Sequence, residues 1–462
     1  MEAHAKRSVS MSDNSRHYDA VVVGLGKTGL SCARFLAARG LSFAVTDSRL
    51  QPPELASLTR LLPEVPVFTG GFDENLLTRT DKLILSPGVA ANEPAIRQAV
   101  DHGVELLGDI EMFARSAQAP IVAVTGSNGK STVASLTAAM MQRAGVKVLL
   151  GGNIGTPALD LLEQPVPDFY VLELSSFQLE TVRSLDAAAA AVLNVSPDHL
   201  DRYADMDAYA AAKGRIYAGT GVMVINLDDN CVRAMRQPSR TVIAYSLSAP
   251  APGCFGVLAA DGQEWLAFGE ETLLPVTELR LSGRHNIANT LAALALGSAV
   301  GLPVSAMLEA AKEFTSLPHR CQWLATLAGV DWVDDSKGTN VGATCAAITG
   351  MGADDNLILI AGGDGKGADF SPLAGVVRGR VRAAVLIGRD AALVGRAIEA
   401  QTQVLYATDM NSAVATAAGL ARPGDTVLLS PACASFDMFR DYRHRGELFA
   451  AAVRALEEGG RP

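Results

Sequence analysis

The stretch "IVAVTGSNGKSTVASL", residues 121–136, decides the fold of this chain, because it predicts a strand, a glycine turn and a helix in succession. Backbone N–H groups at such a junction converge on a phosphate. The common phosphate loop has the pattern G-x-x-x-x-G-K-[ST], but Val124 stands where its first glycine is expected. Gly126 and Gly129 still bracket the turn. We therefore interpret the stretch as a shortened phosphate loop, with a ligand-free glycine turn as the alternative.

Three polar side chains at or near this loop suit phosphate and magnesium. Lys130 supplies a positive charge near the β- and γ-phosphates, and Ser131 supplies a hydroxyl for the metal. Glu173 ends an almost wholly apolar strand, where an unpaired carboxylate is costly to bury. A magnesium ion would offset that cost, since it favours oxygen ligands. A salt bridge at the strand end is the alternative.

A second glycine turn, "GLGKTG" at 24–29, follows the first predicted strand and opens a helix. With Asp47 at the end of the next strand it satisfies the dinucleotide fingerprint. A tight turn without a ligand is the alternative, and a UDP group fits as well as NAD because helix N-terminal N–H groups suit any diphosphate. Asp47 and Arg49 are placed to contact a base or phosphate, and "SPGV" at 86–89 lies at a third strand end.

Strands and helices alternate along the chain, which is typical of βαβ units and parallel sheets. The sequence predicts an α/β protein of three domains: a Rossmann-like N-terminal domain, a central P-loop ATPase-type domain with a mostly parallel sheet, and a Rossmann-like C-terminal domain. The predicted segments are a flexible tail at 1–17, the N-terminal domain at 18–110, the central domain at 111–317 and the C-terminal domain at 318–462.

Composition excludes several classes of function. The chain has 462 residues, is 49% hydrophobic and 19% charged, and has a net charge of −10 with no dense basic run, which disfavours nucleic-acid and anionic-membrane partners. No apolar run is long enough to span a bilayer and no secretory leader is recognisable, so we expect a cytoplasmic protein. The six cysteines are scattered without a C-x-x-C pair and are expected to be reduced.

Other candidate residues are ambiguous by themselves. His199 in "NVSPDHLDRY" follows a strand, Lys213 lies on an alanine-rich predicted helix, and Asn286 lies at the start of another helix, where it could cap the helix or bind a purine edge. In the third segment, "VDDSKGTN" (333–340), "GGDGKGAD" (362–369) and "SPACASFDMF" (430–439) are polar strand ends, with Ser435 expected near a helix start. Carboxyl ends of parallel strands meet at one sheet edge, so these three loops predict one wall of a ligand cleft.

With these motifs aligned, the chain resembles the Mur ligases from Tyr18 to about Leu456. The shortened phosphate loop is shared with that wider family, including folylpolyglutamate synthases, and "DDSKGTN" with "SPACAS" points to the branch that adds D-glutamate. Departures from the family pattern are the extended N-terminus, Lys27 where an apolar residue is expected, and Gly338 where alanine is more usual.

The resemblance implies a reaction and a set of roles. ATP would activate the alanyl carboxylate of UDP-MurNAc-L-Ala as an acyl phosphate, and D-glutamate would displace phosphate to form an amide. Catalytic roles are implied for Lys130, Glu173, His199 and Lys213, and metal binding for Ser131, Glu173, His199 and a carbamylated Lys213, with two magnesium ions expected. ATP contacts are implied for Gly126, Ser127, Asn128, Gly129, Lys130, Ser131, Thr132, Asn286, Arg320, Asp335 and Lys337. The UDP-substrate falls to Thr28, Asp47, Arg49, Ser86, Gly88 and Asn153, and D-glutamate to Lys366, Ser435 and Tyr442.

Three alternative functions can be weighed from the sequence. An NAD-dependent oxidoreductase would leave the phosphate loop and Glu173 without a role. A folylpolyglutamate-type ligase would not need the roughly 90 residues before the phosphate loop. A nucleotide-dependent switch would release phosphate without acceptors. We expect the ligase, acting as a monomer on small molecules, without nucleic acid and without a membrane span.

Overall fold

The computed structural model describes residues 17–281 and 283–458. Apart from His17, the predicted tail at 1–17 lies outside the described residues. The chain divides into two compact units, of which the first comprises Met1–Thr125, Lys147–Ala190 and Ala212–Gly221, and the second Gly126–Val146, Ala191–Ala211 and Val222–Pro462. Within the described part, no helix combines the length and the apolar character that a membrane crossing requires.

The first unit begins with five βα repeats. Its first elements are β1 (Ala20–Val23), α1 (Lys27–Ala38), β2 (Phe43–Asp47), α2 (Leu55–Leu61), β3 (Val67–Thr69), α3 (Glu74–Thr78), β4 (Lys82–Leu85), α4 (Pro94–Asp101), β5 (Glu105–Gly108) and α5 (Asp109–Ala114). The strands form a parallel sheet in the order β3-β2-β1-β4-β5. The order reverses between β1 and β4, and open α/β sheets bind ligands at such a switch point.

The predicted strand of the opening stretch is β6 (Ile121–Thr125), and its helix is α6 (Lys130–Arg143) in the second unit. The next elements along the chain are β7 (Val148–Gly152), α7 (Ala158–Leu161), β8 (Phe169–Glu173), α8 (Ser176–Leu179), β9 (Ala189–Val192), α9 (Met206–Gly214) and a 3-10 turn (Arg215–Tyr217). Within the first unit, β7, β8 and β6 pair in parallel in that order. Each of these strands is short and apolar, as expected for a parallel sheet covered on both faces.

The second unit continues with strands that pair in parallel and then in antiparallel fashion. Its elements from residue 222 to 313 are β10 (Val222–Asn226), α10 (Asn230–Ala234), β11 (Val242–Tyr245), β12 (Phe255–Ala260), β13 (Gln263–Phe268), β14 (Glu271–Pro275), a 3-10 turn (Val276–Glu278), α11 (Arg284–Ala299) and α12 (Val304–Glu313). The pairs β10–β11 and β11–β12 are parallel, and β12–β13 and β13–β14 are antiparallel. The antiparallel part was not anticipated from the sequence.

The last part of the second unit has a six-stranded sheet in the order β15-β16-β20-β17-β18-β19. Its elements are β15 (Gln322–Leu327), β16 (Val330–Asp334), α13 (Val341–Met351), β17 (Leu357–Gly362), α14 (Ser371–Val377), β18 (Val381–Ile387), α15 (Ala391–Ile398), β19 (Gln403–Tyr406), α16 (Met410–Leu420), β20 (Thr426–Leu429) and α17 (Tyr442–Glu458). Only the β15–β16 pair is antiparallel among these described strands. Buried apolar clusters on β17 and its neighbours form the core.

One local expectation is wrong. Ser435 was predicted near a helix start, but the next helix, α17, begins only at Tyr442. The segment between them is a chain of turns in which the N–H groups of Met438 and Phe439 donate to the Ser435 carbonyl. Turn-forming hydrogen bonds have replaced the expected helix because the sequence of this segment, "SFDMFRD", has no helical apolar period.

Candidate functional site

The loop between β6 and α6 requires glycine at both predicted positions. Gly126 has φ of 155° and Gly129 has φ of 83°, conformations that side chains disfavour. A Cβ at Gly126 would lie 3.0 Å from the Leu193 Cβ, and a Cβ at Gly129 would overlap the side-chain amide oxygen of Asn289. The shortened phosphate loop is therefore a tightly enclosed turn, and any side chain at either glycine would displace its neighbours.

The loop is held by a residue that the sequence reading overlooked, Asn194. Its backbone carbonyl accepts from Ser127 N–H at 2.9 Å. Its side chain accepts from Asn128 N–H at 2.8 Å and donates to the Asn128 carbonyl at 3.0 Å. These three hydrogen bonds fix the backbone of the loop at Ser127 and Asn128. An asparagine just beyond a strand in "NVSPDH" was the only available signal.

Lys130 and Ser131 stand at the start of α6, directly after Gly129. The Lys130 ammonium donates to the carbonyls of Gly126 and Ser127 at 2.8 and 2.9 Å, so it lies over the loop. The Ser131 hydroxyl accepts from the Arg320 guanidinium at 2.6 Å. The structure thus brings Arg320 to the phosphate loop from nearly 190 residues further along the chain.

A cleft of the second unit gathers most of the predicted ATP residues. Predicted residues that line it are Asn128, Gly129, Thr132, Asn286, Arg320, Asp335 and Lys337. Asn286 is 8% exposed and accepts from the Asn289 side-chain amide at 3.1 Å, which fixes the orientation of both amides. Amide edges held in this way can read the hydrogen-bonding edge of a base.

Asp335 lies deep in this cleft beside Arg320. Burial raises the pKa of its carboxyl to about 7, although a hydrogen bond from Ser430 at 2.8 Å and one from Cys321 N–H at 3.2 Å act in the opposite direction. The nearby Lys337 ammonium lies 3.9 Å from the centre of the Tyr442 ring. The cleft therefore combines two fixed cations with a carboxyl whose charge is poised near neutral pH.

The three predicted D-glutamate residues lie in the second unit, Lys366 and Ser435 on loops and Tyr442 at the start of α17. Lys366 has φ of 51° and its ammonium lies 3.7 Å from an Asp198 carboxylate oxygen. The Tyr442 ring lies beside Lys337, and Ser435 is 2% exposed.

Burial lowers the pKa of His199 to about 4, against the opposing charge of Asp198, so its imidazole is neutral at pH 7. A neutral imidazole keeps a lone pair for a metal.

The predicted UDP-substrate residues belong to the first unit. Asp47 ends β2, is 2% exposed, accepts from Leu25 N–H at 2.7 Å and pairs with Arg49 through two bonds of 2.8 and 2.7 Å. Burial alone would raise the pKa of Asp47, but Arg49 and the backbone donors hold it below its usual value. Ser86 donates to the Gly24 carbonyl at 2.7 Å and so joins the ends of β1 and β4.

Thr28 and Gly88 of the same set lie on the chain segments that follow β1 and β4. Thr28 is in the first turn of α1 beside the exposed Lys27, and Gly88 is in the turn after β4. A Cβ at Gly88 would meet no atom within 4 Å, so space rather than packing surrounds it. This is the strand edge at which the glycine turn was predicted to hold a diphosphate.

Glu173 and Lys213 are buried in the first unit. Glu173 is 2% exposed, and Asn153 donates to its Oε1 at 2.7 Å, while Lys213 on α9 is 1% exposed. Within residues 17–281 and 283–458, no group of three or more His, Cys, Asp or Glu side chains is arranged to hold a metal ion. The predicted metal ligands contain only two side chains of these four types, Glu173 and His199, because the other two are Ser131 and a carbamylated Lys213.

A glycine-bracketed phosphate loop on a mostly parallel α/β scaffold, with a cleft of amides, cations and a carboxyl beside it, defines a nucleotide-binding enzyme of the P-loop type. Three domain families match the sequence in chain order: "Mur ligase MurD-like, N-terminal domain" at 18–108, "Mur ligase middle domain" at 124–297 and "Mur ligase, glutamate ligase domain" at 319–433.

Curated relatives extend the match to almost the whole chain. The UDP-N-acetylmuramoylalanine--D-glutamate ligase of Nitrosococcus oceani is 56% identical over 437 residues, 95% of this chain and 96% of the relative. That of Marinobacter nauticus is 53% identical over 450 residues, 97% of this chain and 100% of the relative. The chain belongs to the Mur ligase family, within the group of UDP-N-acetylmuramoylalanine--D-glutamate ligases.

Solved structures agree in fold. The structure of MurF ligase from Thermotoga maritima in complex with ADP superimposes with a TM-score of 0.62 at 16% identity, covering 96% of each chain. UDP-N-acetylmuramate-alanine ligase from the same organism has a TM-score of 0.61 at 17% identity, covering 96% of this chain and 100% of that one. The predicted α/β fold of three domains is confirmed, while the boundaries near 110 and 317 stay predictions.

Family membership decides the class of enzyme. Mur ligases form amide bonds with ATP in peptidoglycan precursor synthesis, and they use magnesium. The chain is therefore an ATP-dependent ligase. The oxidoreductase, folylpolyglutamate and switch alternatives fall away.

Proposed function

We propose that this chain joins D-glutamate to the alanyl carboxylate of UDP-MurNAc-L-Ala. The observation that carries the proposal is the second-unit cleft, where Asn286, Arg320, Asp335 and Lys337 come together with the phosphate loop. The full-length likeness to ligases named for this pair of substrates supports the choice of substrates.

The reaction has two steps. An alanyl carboxylate oxygen attacks the γ-phosphorus of ATP, the bond to ADP breaks, and an acyl phosphate forms. The amine of D-glutamate then attacks the acyl carbon, the carbon–oxygen bond to phosphate breaks, and the amide, phosphate and a proton are released. Negative charge on the transferred phosphoryl group is the main quantity to stabilise.

The second unit supplies the groups for the first step. The N–H groups of Ser127 and Asn128 donate to Asn194, so we assign the N–H groups from Gly129 to Thr132 to phosphate oxygens. The Lys130 ammonium exchanges its bonds with the Gly126 and Ser127 carbonyls for bonds to phosphate. Arg320, hydrogen-bonded to Ser131, adds a second positive charge. We assign Asn286, Asp335 and Lys337 to the nucleoside.

The first unit supplies the groups for the UDP-substrate. The paired Asp47 and Arg49 lie at the end of β2, where the carboxylate is held in one orientation by four N–H donors. We assign them to the uridine diphosphate together with Thr28, Ser86 and Gly88, and we assign Asn153 to the sugar side of the same substrate. In the second unit, Lys366, Ser435 and Tyr442 receive D-glutamate.

We propose that Ser131 and His199 of the second unit, and Glu173 and a carbamylated Lys213 of the first unit, are magnesium ligands, with two ions expected. The hydroxyl, the carboxylate and the carbamate are the hard oxygen donors that magnesium prefers, and the His199 imidazole would add a nitrogen ligand. When bound, the ions neutralise charge on the phosphate oxygens. Lys213 is 1% exposed, and its neutral amine would be the form that adds to carbon dioxide, losing a proton to give a carbamate.

The test is an assay of the purified protein. We expect phosphate release from ATP only when UDP-MurNAc-L-Ala and D-glutamate are both present, with L-glutamate, L-alanine and diaminopimelate as matched amino-acid controls. Phosphate release without the acceptors, or equal use of L-glutamate, would contradict the proposal. We also propose that the protein is cytoplasmic and monomeric; size-exclusion chromatography with light scattering would test the monomeric state.

A further inference from the structure

Asn340 lies at a junction of three structural features of the second unit. It precedes α13, its side-chain oxygen caps that helix by accepting from Ala343 N–H at 2.9 Å, and it is 7% exposed. The cap fixes which way the amide faces, because the oxygen must point to the helix N-terminus. The amide nitrogen is thereby directed away from α13.

That nitrogen donates to two side chains from different loops. One acceptor is the side-chain oxygen Oδ1 of Asn128 in the phosphate loop, at 3.1 Å, and the other is a carboxylate oxygen of Asp198, also at 3.1 Å. The Asn128 amide returns a longer bond of 3.4 Å to the Asn340 oxygen. Asp198 in turn lies 3.7 Å from the ammonium of Lys366, a residue assigned above to D-glutamate.

We propose that Asn340 is a positioning residue that joins the phosphate loop to Asp198, and through Asp198 to Lys366 on the loop after β17, by holding Asn128 and Asp198 at once. The inference rests on the proposed function, since it takes Lys366 as a D-glutamate residue. An amide suits this position because it alone among small polar side chains offers an acceptor for the helix cap and two N–H donors for the loops. Through this junction, a ligand that orders one loop also favours the ordered form of the other.

Two variants separate this role from helix capping. Asn340→Asp keeps an effective N-cap but removes both donors and places a carboxylate against Asp198, and Asn340→Ser keeps a cap without charge but is too short to span the loops. Asp409→Asn is the matched control, because it replaces the N-cap residue of α16, whose side chain accepts from Ser412 N–H. Asn340→Ser and Asp409→Asn are expected to melt close to the wild-type temperature, whereas Asn340→Asp is expected to melt lower because its carboxylate repels that of Asp198.

The measurements are kcat and KM for each substrate in the full-length protein. For both Asn340 variants we expect the KM for ATP and the KM for D-glutamate to rise together by about tenfold or more, which corresponds to one lost charge-assisted hydrogen bond. The KM for UDP-MurNAc-L-Ala is expected to stay within about twofold, and Asp409→Asn should match wild type in all three. In wild type, raising ATP should lower the KM for D-glutamate, and this coupling should be lost in Asn340→Ser.

Each outcome decides between the claims. Wild-type kinetics in folded Asn340→Ser, or a rise confined to one substrate, would overturn the joining role and leave the proposed function intact. Wild-type kinetics in both variants, each of which keeps the helix cap, would assign the residue to capping alone and overturn the joining role as well. A wild-type chain that does not ligate D-glutamate would overturn the proposed function and this inference with it.

Discussion

Asp109 carries a pH dependence of stability that can be worked out from the structure. It is the first residue of α5 and is 2% exposed, and one of its oxygens accepts from the Gln178 amide at 2.8 Å. No described residue hydrogen-bonds its other oxygen. Burial therefore raises its pKa from 3.8 to about 6, although the Gln178 bond opposes the shift.

A raised carboxyl pKa means that the folded protein holds this proton more tightly than the unfolded chain. The stability that it contributes is greatest at low pH and is lost as the pH rises through 6. With values of 3.8 unfolded and 6 folded, Asp109 contributes about 1.4 kcal/mol more to the free energy of unfolding at pH 5 than at pH 8. Asp109→Asn removes the titration and hence this difference.

The assay is urea unfolding followed by far-UV circular dichroism at pH 5 and pH 8. The wild-type free energy minus that of Asp109→Asn should fall by about 1.4 kcal/mol between the two pH values. Asp101→Asn, which removes an exposed carboxylate at the end of α4, is the control and should stay parallel to wild type. A constant difference between wild type and Asp109→Asn would refute the reasoning, because it would mean that burial leaves the Asp109 pKa unshifted.

Three further substitutions test the site. Gly129→Ala puts a Cβ at φ of 83° against Asn289, so ATP affinity should drop by about tenfold or more in a nucleotide-binding titration, and unchanged affinity would contradict the enclosed loop. Lys213→Ala should abolish ligation, with partial recovery in acetate, whereas full activity without acetate would rule out the carbamate. Asp47→Asn disrupts the pair of charge-assisted hydrogen bonds between Asp47 and Arg49, so the KM for UDP-MurNAc-L-Ala should rise by about tenfold while the KM for ATP stays unchanged. Equal rises in both KM values would place Asp47 outside the UDP site.

The residues that form the phosphate loop were readable from the sequence because their signals are local. Gly126 and Gly129 adopt positive φ, and Lys130 and Ser131 follow them at the start of a helix. All of this lies within one turn of chain, where steric limits on the backbone decide the conformation. Glu173 at the end of β8 was predicted for a similar reason, since a carboxylate closing an apolar run is a local anomaly.

Ser435 shows where local reasoning fails. Its glycine-poor, polar turn resembles the helix starts of the other loops, but a helix also needs an apolar face to pack, and the packed face begins only with α17. The antiparallel strands β12 to β14 were missed for a related reason, since their alternation is short and their pairing is decided by partners along the sheet.

By itself, the sequence determined the βαβ architecture and the glycine-bracketed phosphate loop, because each depends on neighbours a few positions away. Only the tertiary structure decided that Asn194 holds the phosphate loop and that Asn340 contacts both Asn128 and Asp198. Those contacts join segments between 66 and 212 residues apart, and no local period or spacing encodes them. They exist because folding brings strand ends to one edge, where buried amides must find partners.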